Sequence, residues 1–311
     1  TGIAGGLFTL NDVEVSDDGI IFACNLTLDH SNVSNPFKVY RWDTEASAPV
    51  EVLSFTGATG YRFGDKFTVA GSTADNSIEI WAVASGQDKV FKFTTADNGA
   101  SFTAQEITLS DAAAGSSPAA WPVGNGNFYV NGNGINPKEY SSDGTFISVV
   151  PGSIVPTGSN KVIYFEEGTN KFIFVYRYNT PDIHLGQLVD VTAGNDNAVL
   201  YGETSNLGLN GDTGNGDVDL KNNGDGTYTV FVLSANNGLG AYTTTDPIPV
   251  ELTSFTYSLN ENNVNLSWST ATEINNLKFE IERSNADQDF VKIGEVQGAG
   301  TSSQVNSYSF I

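Results

Sequence analysis

The chain of 311 residues has no Met, one Cys, two His, and only 14 Lys+Arg against 36 Asp+Glu. Each scarcity excludes something. A formal net charge of −22 leaves few cations for nucleic acid or an anionic membrane surface, both of which bind through Lys/Arg patches. The single Cys24 cannot form an internal disulfide, and its setting in Ile20-Ile21-Phe22-Ala23-Cys24 reads as a buried, inert thiol. His30 and His184 lie in polar contexts without Cys or His at metal spacing, which argues against zinc. Neither a Gly-x-Ser-x-Gly elbow nor a P-loop occurs. The longest apolar run, such as Phe172-Ile173-Phe174-Val175-Tyr176, is strand-sized, far short of the ~18–20 residues that span a bilayer. A chain without Met reads as a processed start, with any secretory signal already removed.

What is abundant is turn chemistry. There are 33 Gly, and short apolar or alternating runs are closed again and again by Gly, Asn or Asp, while no helical periodicity appears. The runs fall into groups of four. The first group is 12–16, 20–25, 37–42 and 50–55, and the second is 66–71, 78–84, 90–95 and 102–109. The third is 120–123, 128–131, 137–141 and 146–150, and the fourth is 161–165, 171–178, 186–191 and 198–201. A fifth group, 217–221, 228–234 and 240–244, stops one strand short. Four strands every ~40–50 residues is the spacing of propeller blades. The sequence therefore predicts an all-β chain: a five-bladed β-propeller of four-stranded blades over residues 1–246. The stretch Gly5-Gly6-Leu7-Phe8-Thr9-Leu10 is the candidate for the missing strand, closing the ring and covering an open edge.

Thr95-Ala96-Asp97-Asn98-Gly99-Ala100-Ser101-Phe102 resembles the Asp-box of sialidase-type propellers, a structural turn between the third and fourth strands of a blade. Ser142-Asp143-Gly144-Thr145-Phe146 occupies the equivalent place in the third unit. Asp accepts backbone N–H bonds there and Gly supplies positive φ. Sialidase activity would need an arginine cluster, whereas the propeller has only Arg41, Arg62 and Arg177, in unlike strand positions.

Asp246-Pro247-Ile248-Pro249 breaks the pattern as a stiff linker, and residues 247–311 carry longer strands. Three segments carry a resemblance: Pro249–Phe255, Val264–Asn276 and Phe279–Ser284, with Trp268 at the end of an alternating run. They resemble the fibronectin-III-like module found near the C-terminus of type IX secretion proteins of Bacteroidetes- and Ignavibacteria-type bacteria. Residues 11–246 resemble a propeller-like domain of unknown function from similar secreted proteins. The resemblance implies a secreted, extracellular or cell-surface location. A fibronectin-III or Ig-like sandwich has about seven strands in ~100 residues, so the C-terminal module is expected to be incomplete. Its last strands would have been cleaved or be supplied by another chain through strand addition.

For function, the first expectation is a non-enzymatic structural protein that self-associates head to tail, by strand pairing through Gly5, Gly6, Leu7, Phe8, Leu10, Tyr308 and Phe310. The alternative is a propeller module that binds a cell-surface glycan or Ca²⁺; the third is a secreted polysaccharide hydrolase. No cofactor is expected beyond Ca²⁺, whose candidate ligands are Asp212, Asp217 and Asp219 in an Asp/Asn/Gly-rich loop that also reads as a solvated hairpin turn. Trp42, Trp81 and Trp121 could stack a sugar, but packing between blades is the simpler role. Glu166-Glu167 reads as a hairpin turn, since adjacent residues on an extended chain point apart. The acidic charge divides into −17 over residues 1–246 (28 acids, 11 bases) and −5 over residues 247–311 (8 acids, 3 bases).

Overall fold

The structure, a computed structural model, describes residue 3 and residues 8–111, 113–179, 183–208, 216–224, 227–235, 237–244, 252–260, 263–271, 273–284, 290–302 and 304–311. It is all-β, with one 3₁₀ turn at Asn195–Asn197. Among the described residues no helix is long and apolar enough to cross a membrane. The chain divides into two compact units. One comprises Thr1–Phe165, Phe172–Val218 and Val232–Gly240; the other comprises Glu166–Lys171, Asp219–Phe231 and Ala241–Ile311. The boundary expected at 246/247 lies outside the described residues.

Strands β1 (Phe8–Val15), β2 (Ile21–Leu26), β3 (Phe37–Trp42) and β4 (Val50–Phe55) form the first antiparallel sheet in chain order. The second sheet is β5 (Phe67–Ala70), β6 (Glu79–Val83), β7 (Lys89–Thr94) and β8 (Thr103–Thr108). The third is β9 (Ser116–Pro122), β10 (Phe128–Asn133), β11 (Lys138–Tyr140) and β12 (Phe146–Val149). The fourth is β13 (Ser159–Glu167), β14 (Asn170–Asn179), β15 (Ile183–Asp190) and β16 (Val199–Glu203). A fifth sheet of β17 (Gly216–Asn222), β18 (Tyr228–Ser234) and β19 (Gly238–Thr243) has three strands. The repeat read from the sequence is thus present as a propeller of successive antiparallel meanders.

The N-terminal closure expected from the sequence is different. Phe8–Leu10 do not form a separate strand but run on into β1, where Phe8 pairs with Leu26 and Asp12 with Cys24 across a register shift. The shift releases Asn11, whose Nδ2 donates to the Gly64 carbonyl at 2.7 Å. Hydrogen bonding within the first sheet therefore takes up this segment. Gly5, Gly6 and Leu7 lie outside the described residues.

The alternation of β6 shows why these runs become inner strands. Ile80 and Ala82 enter a core with Phe22, Phe37, Phe67 and Phe93, while Trp81 and Val83 enter another with Phe128, Val130 and Tyr140. Both faces of the strand are dry, so a continuous apolar run is required. β10 repeats the device: Phe128 and Val130 face the second of these cores, and Tyr129 faces a third with Val162, Ile173 and Val175. Each fully buried aromatic is worth roughly 1.5–3 kcal/mol of transfer free energy. Trp81 is buried against Phe128 at 5.2 Å. The Asp-box-like turn lies between β7 and β8. Asp97 Oδ1 accepts from Thr95 Oγ1 at 2.7 Å and from the Ser101 N–H at 2.9 Å, and Gly99 has φ 77°. The equivalent Asp143 turn joins β11 to β12.

In the second unit, β20 (Leu252–Asn260), β21 (Asn263–Thr270) and β24 (Asn306–Phe310) form one sheet in the order β20-β21-β24. Strands β22 (Glu273–Arg283) and β23 (Val291–Ser302) form another. Trp268 is buried, with its ring 5.3 Å from Phe279 and 5.6 Å from Tyr308. Tyr308 and Phe310 pair within the chain, opposite Trp268 and Leu266 of β21. Glu273 of β22 ties its own strand to three others. It accepts from Thr270 Oγ1 at 2.8 Å, Asn276 Nδ2 at 2.7 Å, the Ala299 N–H at 2.9 Å and the Tyr308 hydroxyl.

Candidate functional site

The first strand of each propeller sheet lies at one end of its strand order, and β1 packs beside β5 and β5 beside β9. Residues in, or directly before, the first strand of each of the five sheets line a cavity of about 560 Å³ in the first unit. Asn11 and Asp12 come from β1, Lys66 from the residue before β5, Ser117 from β9, Asn160 from β13 and Gly216 from β17. Arg62, Asn133 and Tyr178 complete its polar wall. The backbone is strained at the rim: Ser117 has φ 47°, and Lys161, beside Asn160, has φ 52°. Non-glycine residues held there cost energy, and such strain gathers at functional sites. Gly216 is obligatory, since a Cβ would lie 2.0 Å from the Tyr176 ring. That ring's hydroxyl bonds His184 Nδ1 at 2.7 Å.

A charge cluster adjoins the wall, which Asp12 and Lys66 of the cluster line. Lys161 is fully buried and its Nζ pairs with Glu14, with Asp217 Oδ1 at 3.7 Å and with the Phe67 carbonyl at 3.3 Å. Lys66 Nζ meets Asp217 Oδ2 at 3.1 Å. Asp12 accepts the Phe67 N–H at 3.0 Å. Burial pushes the Asp12 carboxyl up to about 6, opposed by Lys66 and helped by Asp217. Burial also pushes Glu14 well up. It acts to raise Asp217 too, but the two lysines outweigh it and hold Asp217 below the usual range. For Lys66 and Lys161 burial acts downward, yet the carboxylates win and both stay above the ordinary lysine value.

Oxygens of Asp12, Glu14 and Asp217 lie within 4.8 Å of one another, a spacing that could hold a metal ion. Here two ammonium groups already supply the positive charge among them. Of the Ca²⁺ ligands expected from sequence, Asp217 points into this cluster. Asp219 is exposed and accepts the Leu220 N–H at 2.8 Å, and Asp212 lies outside the described residues. Sequence reading missed the cluster because its five members come from distant segments. One signal was available: Lys66 and Lys161 open the second and fourth repeat units at the same place, in a chain poor in lysine.

Fold and cavity define a β-propeller with a polar site lined from the first strands of its sheets. No protein-family model matches the chain, and no curated protein matches it. Among solved structures it is similar to a DUF4623 family protein from Bacteroides eggerthii, with 15% identity and a TM-score of 0.59 over 78% of this chain and 60% of that one. At that identity the likeness is one of fold, and the chain spans about 60% of that protein's length. It is also similar to a GH43 β-1,3-galactosidase, with 10% identity and a TM-score of 0.47 over 92% of this chain and 78% of that one. An exo-β-1,3-galactanase from Phanerochaete chrysosporium shows 8% identity and a TM-score of 0.40 over 99% and 92% of the two chains. Two expectations are corrected at this point, that of a non-enzymatic, self-associating structural subunit and that of a chain with no enzymatic activity. The solved structures include glycoside hydrolases, and the polar cavity gives the chain a ligand-sized site.

Proposed function

We propose that this chain binds a polysaccharide in the cavity, the step that a glycan-binding module and a polysaccharide hydrolase share. The observation that carries it is the chemistry of the wall. Asn11, Asn133, Asn160, Ser116, Ser117 and Tyr178 present amide and hydroxyl groups to a space of about 560 Å³, in the usual range for ligand pockets. Charges of both signs line it, Arg62 and Lys66 beside Asp12 and Asp65, so no single sign dominates the wall. Arg62 Nε is held by Asp65 at 2.7 Å. A neutral, hydroxyl-rich ligand suits such a wall better than an anion or an apolar molecule. Five blades around this site, a fibronectin-III-like second unit and a secreted or cell-surface location are part of the same proposal, supported by the repeat spacing and the sequence resemblance.

The test is affinity electrophoresis and calorimetry of the full chain on galactan, arabinan, xylan and β-glucan, with sugar release assayed in the same tubes. At least one should retard the protein, and Asn133→Ala and Arg62→Ala should each weaken binding about tenfold, the equivalent of ~1.4 kcal/mol, without lowering the melting temperature. Sugar release would place hydrolysis at the same site. Retardation by none of the four, or variants that bind like the parent, would sink the proposal.

A further inference from the structure

Five charged side chains converge beside the cavity: three carboxylates, Asp12, Glu14 and Asp217, and two ammonium groups, Lys66 and Lys161, of which Asp12 and Lys66 line it. Fully ionised, they sum to 2 − 3 = −1. A net charge withdrawn from water is costly unless it is compensated. The lysines are not shared evenly. Ion pairs within 4.0 Å go to Glu14 and Asp217, and among the described residues Asp12 has no ammonium at that range. Asp12 is nevertheless 8% exposed, and Glu14 lies two residues along β1, on the same face of the strand.

The groups facing Asp12 from other elements do not supply the missing charge. Cys24 of β2, its partner in the sheet, is a thiol that burial keeps protonated and neutral. Tyr176 of β14, which lies near Lys66 and Asp217 of the cluster, is a phenol that burial likewise holds neutral. Phe67 offers a backbone N–H to Asp12 and a carbonyl to Lys161. At the rim Arg62 is taken by Asp65.

The geometry points to one proton, held between Asp12 and Glu14 at neutral pH, as the sixth member that makes this cluster neutral. The upward displacement of both carboxyls by burial agrees with it. Because Asp12 also lines the cavity, the proton makes it a hydrogen-bond donor toward a ligand oxygen. That last step rests on the glycan-binding reading, whereas the proton itself does not.

Infrared spectroscopy of the intact chain in heavy water at pH 7 tests this directly, with no ligand present. Solvent-exposed carboxyls are ionised at that pH, so the carbonyl stretch of a protonated carboxylic acid should arise from the cluster alone. The expected result is a band worth about one carboxyl per chain that bleaches as the pH is raised. The band should be missing from Asp12→Asn/Glu14→Gln. Carboxyl ¹³C labelling of Asp or of Glu in the wild-type chain moves the band without any substitution, and so covers a variant that fails to fold. A folded wild-type protein without the band overturns the inference, as does a band that survives in the double variant or shifts with neither label. Loss of glycan binding would leave this spectrum unchanged, and absence of the band would leave the binding assays standing, so the two failures are distinguishable.

Discussion

Replacing Lys161 with Met is the most informative single perturbation of this molecule. The side chain is fully buried, and its ammonium contacts Glu14, Asp217 and the Phe67 carbonyl. Met keeps the volume and removes the charge, leaving three carboxylates against one lysine, or 1 − 3 = −2 if all ionise. Removing one partner of a buried pair typically costs ~3–5 kcal/mol, because the other charge is stranded. For a unit of this size that corresponds to a melting temperature lower by roughly 10 °C. The pH dependence separates an electrostatic origin from lost packing. Lys161 is held above its ordinary value, so in the wild type its contribution is fully present below about pH 10 and is constant between pH 5 and 7. In the variant, Glu14 loses its compensating charge and its folded pKa rises further above the unfolded one. The variant's folded state then holds a second proton, beyond the one the wild-type cluster already holds, and so gains more stability than wild type as the pH falls. The gap to wild type should narrow by up to ~1.4 kcal/mol per pH unit per proton, about 2–3 kcal/mol between pH 7 and 5. Urea denaturation followed by tryptophan fluorescence at both values measures it. Adding Glu14→Gln should recover at least ~2 kcal/mol. A variant within 1 kcal/mol of wild type at pH 7, or a gap that stays constant with pH, would refute the reasoning.

Two further outcomes follow from other contacts. Glu273→Gln should destabilise the full chain by about 2 kcal/mol, since hydrogen bonds to an ionised acceptor are each worth ~1.5–3 kcal/mol and Gln accepts at one oxygen only. Burial acts to raise Glu273, but its bonds from Tyr308, Ala299, Thr270 and Asn276 prevail and its folded pKa is lowered. Its contribution is therefore present above the unfolded value and is lost as the pH falls through the folded one. Acid denaturation of the variant should be less steep than that of wild type, and a parallel curve would contradict this. Gly216→Ala places a Cβ 2.0 Å from the Tyr176 ring and 2.5 Å from the Leu233 carbonyl. It should cost ~1–3 kcal/mol by overpacking and disturb the Tyr176–His184 hydrogen bond. A calorimetric melt unchanged from wild type would show that the ring moves aside freely.

Strand positions, turn chemistry and the fourfold grouping were legible in the sequence because they are local. Alternation on β6 and on β10 is written in adjacent residues, and the Asp97 turn needs only Thr95, Gly99 and Ser101 nearby. Trp268 as a core residue of the second unit was readable from the same period-2 pattern. Of the N-terminal segment, Phe8–Leu10 were misplaced because a short apolar run pairs equally well with any open edge. Its attachment to β2 is decided by the register from Asp12↔Cys24 to Val15↔Ile21.

The cluster and the cavity belong to the other category. Asp12, Glu14, Lys66, Lys161 and Asp217 span more than two hundred positions, and each in isolation reads as a polar residue at the mouth of a strand. The sequence by itself determined an all-β chain of repeated antiparallel meanders, since hydrophobic period and turn residues act over a few positions. Only the tertiary structure decided that the first strands of successive sheets bring these charges together away from water, where Coulomb and desolvation energies are large enough to set protonation and pairing.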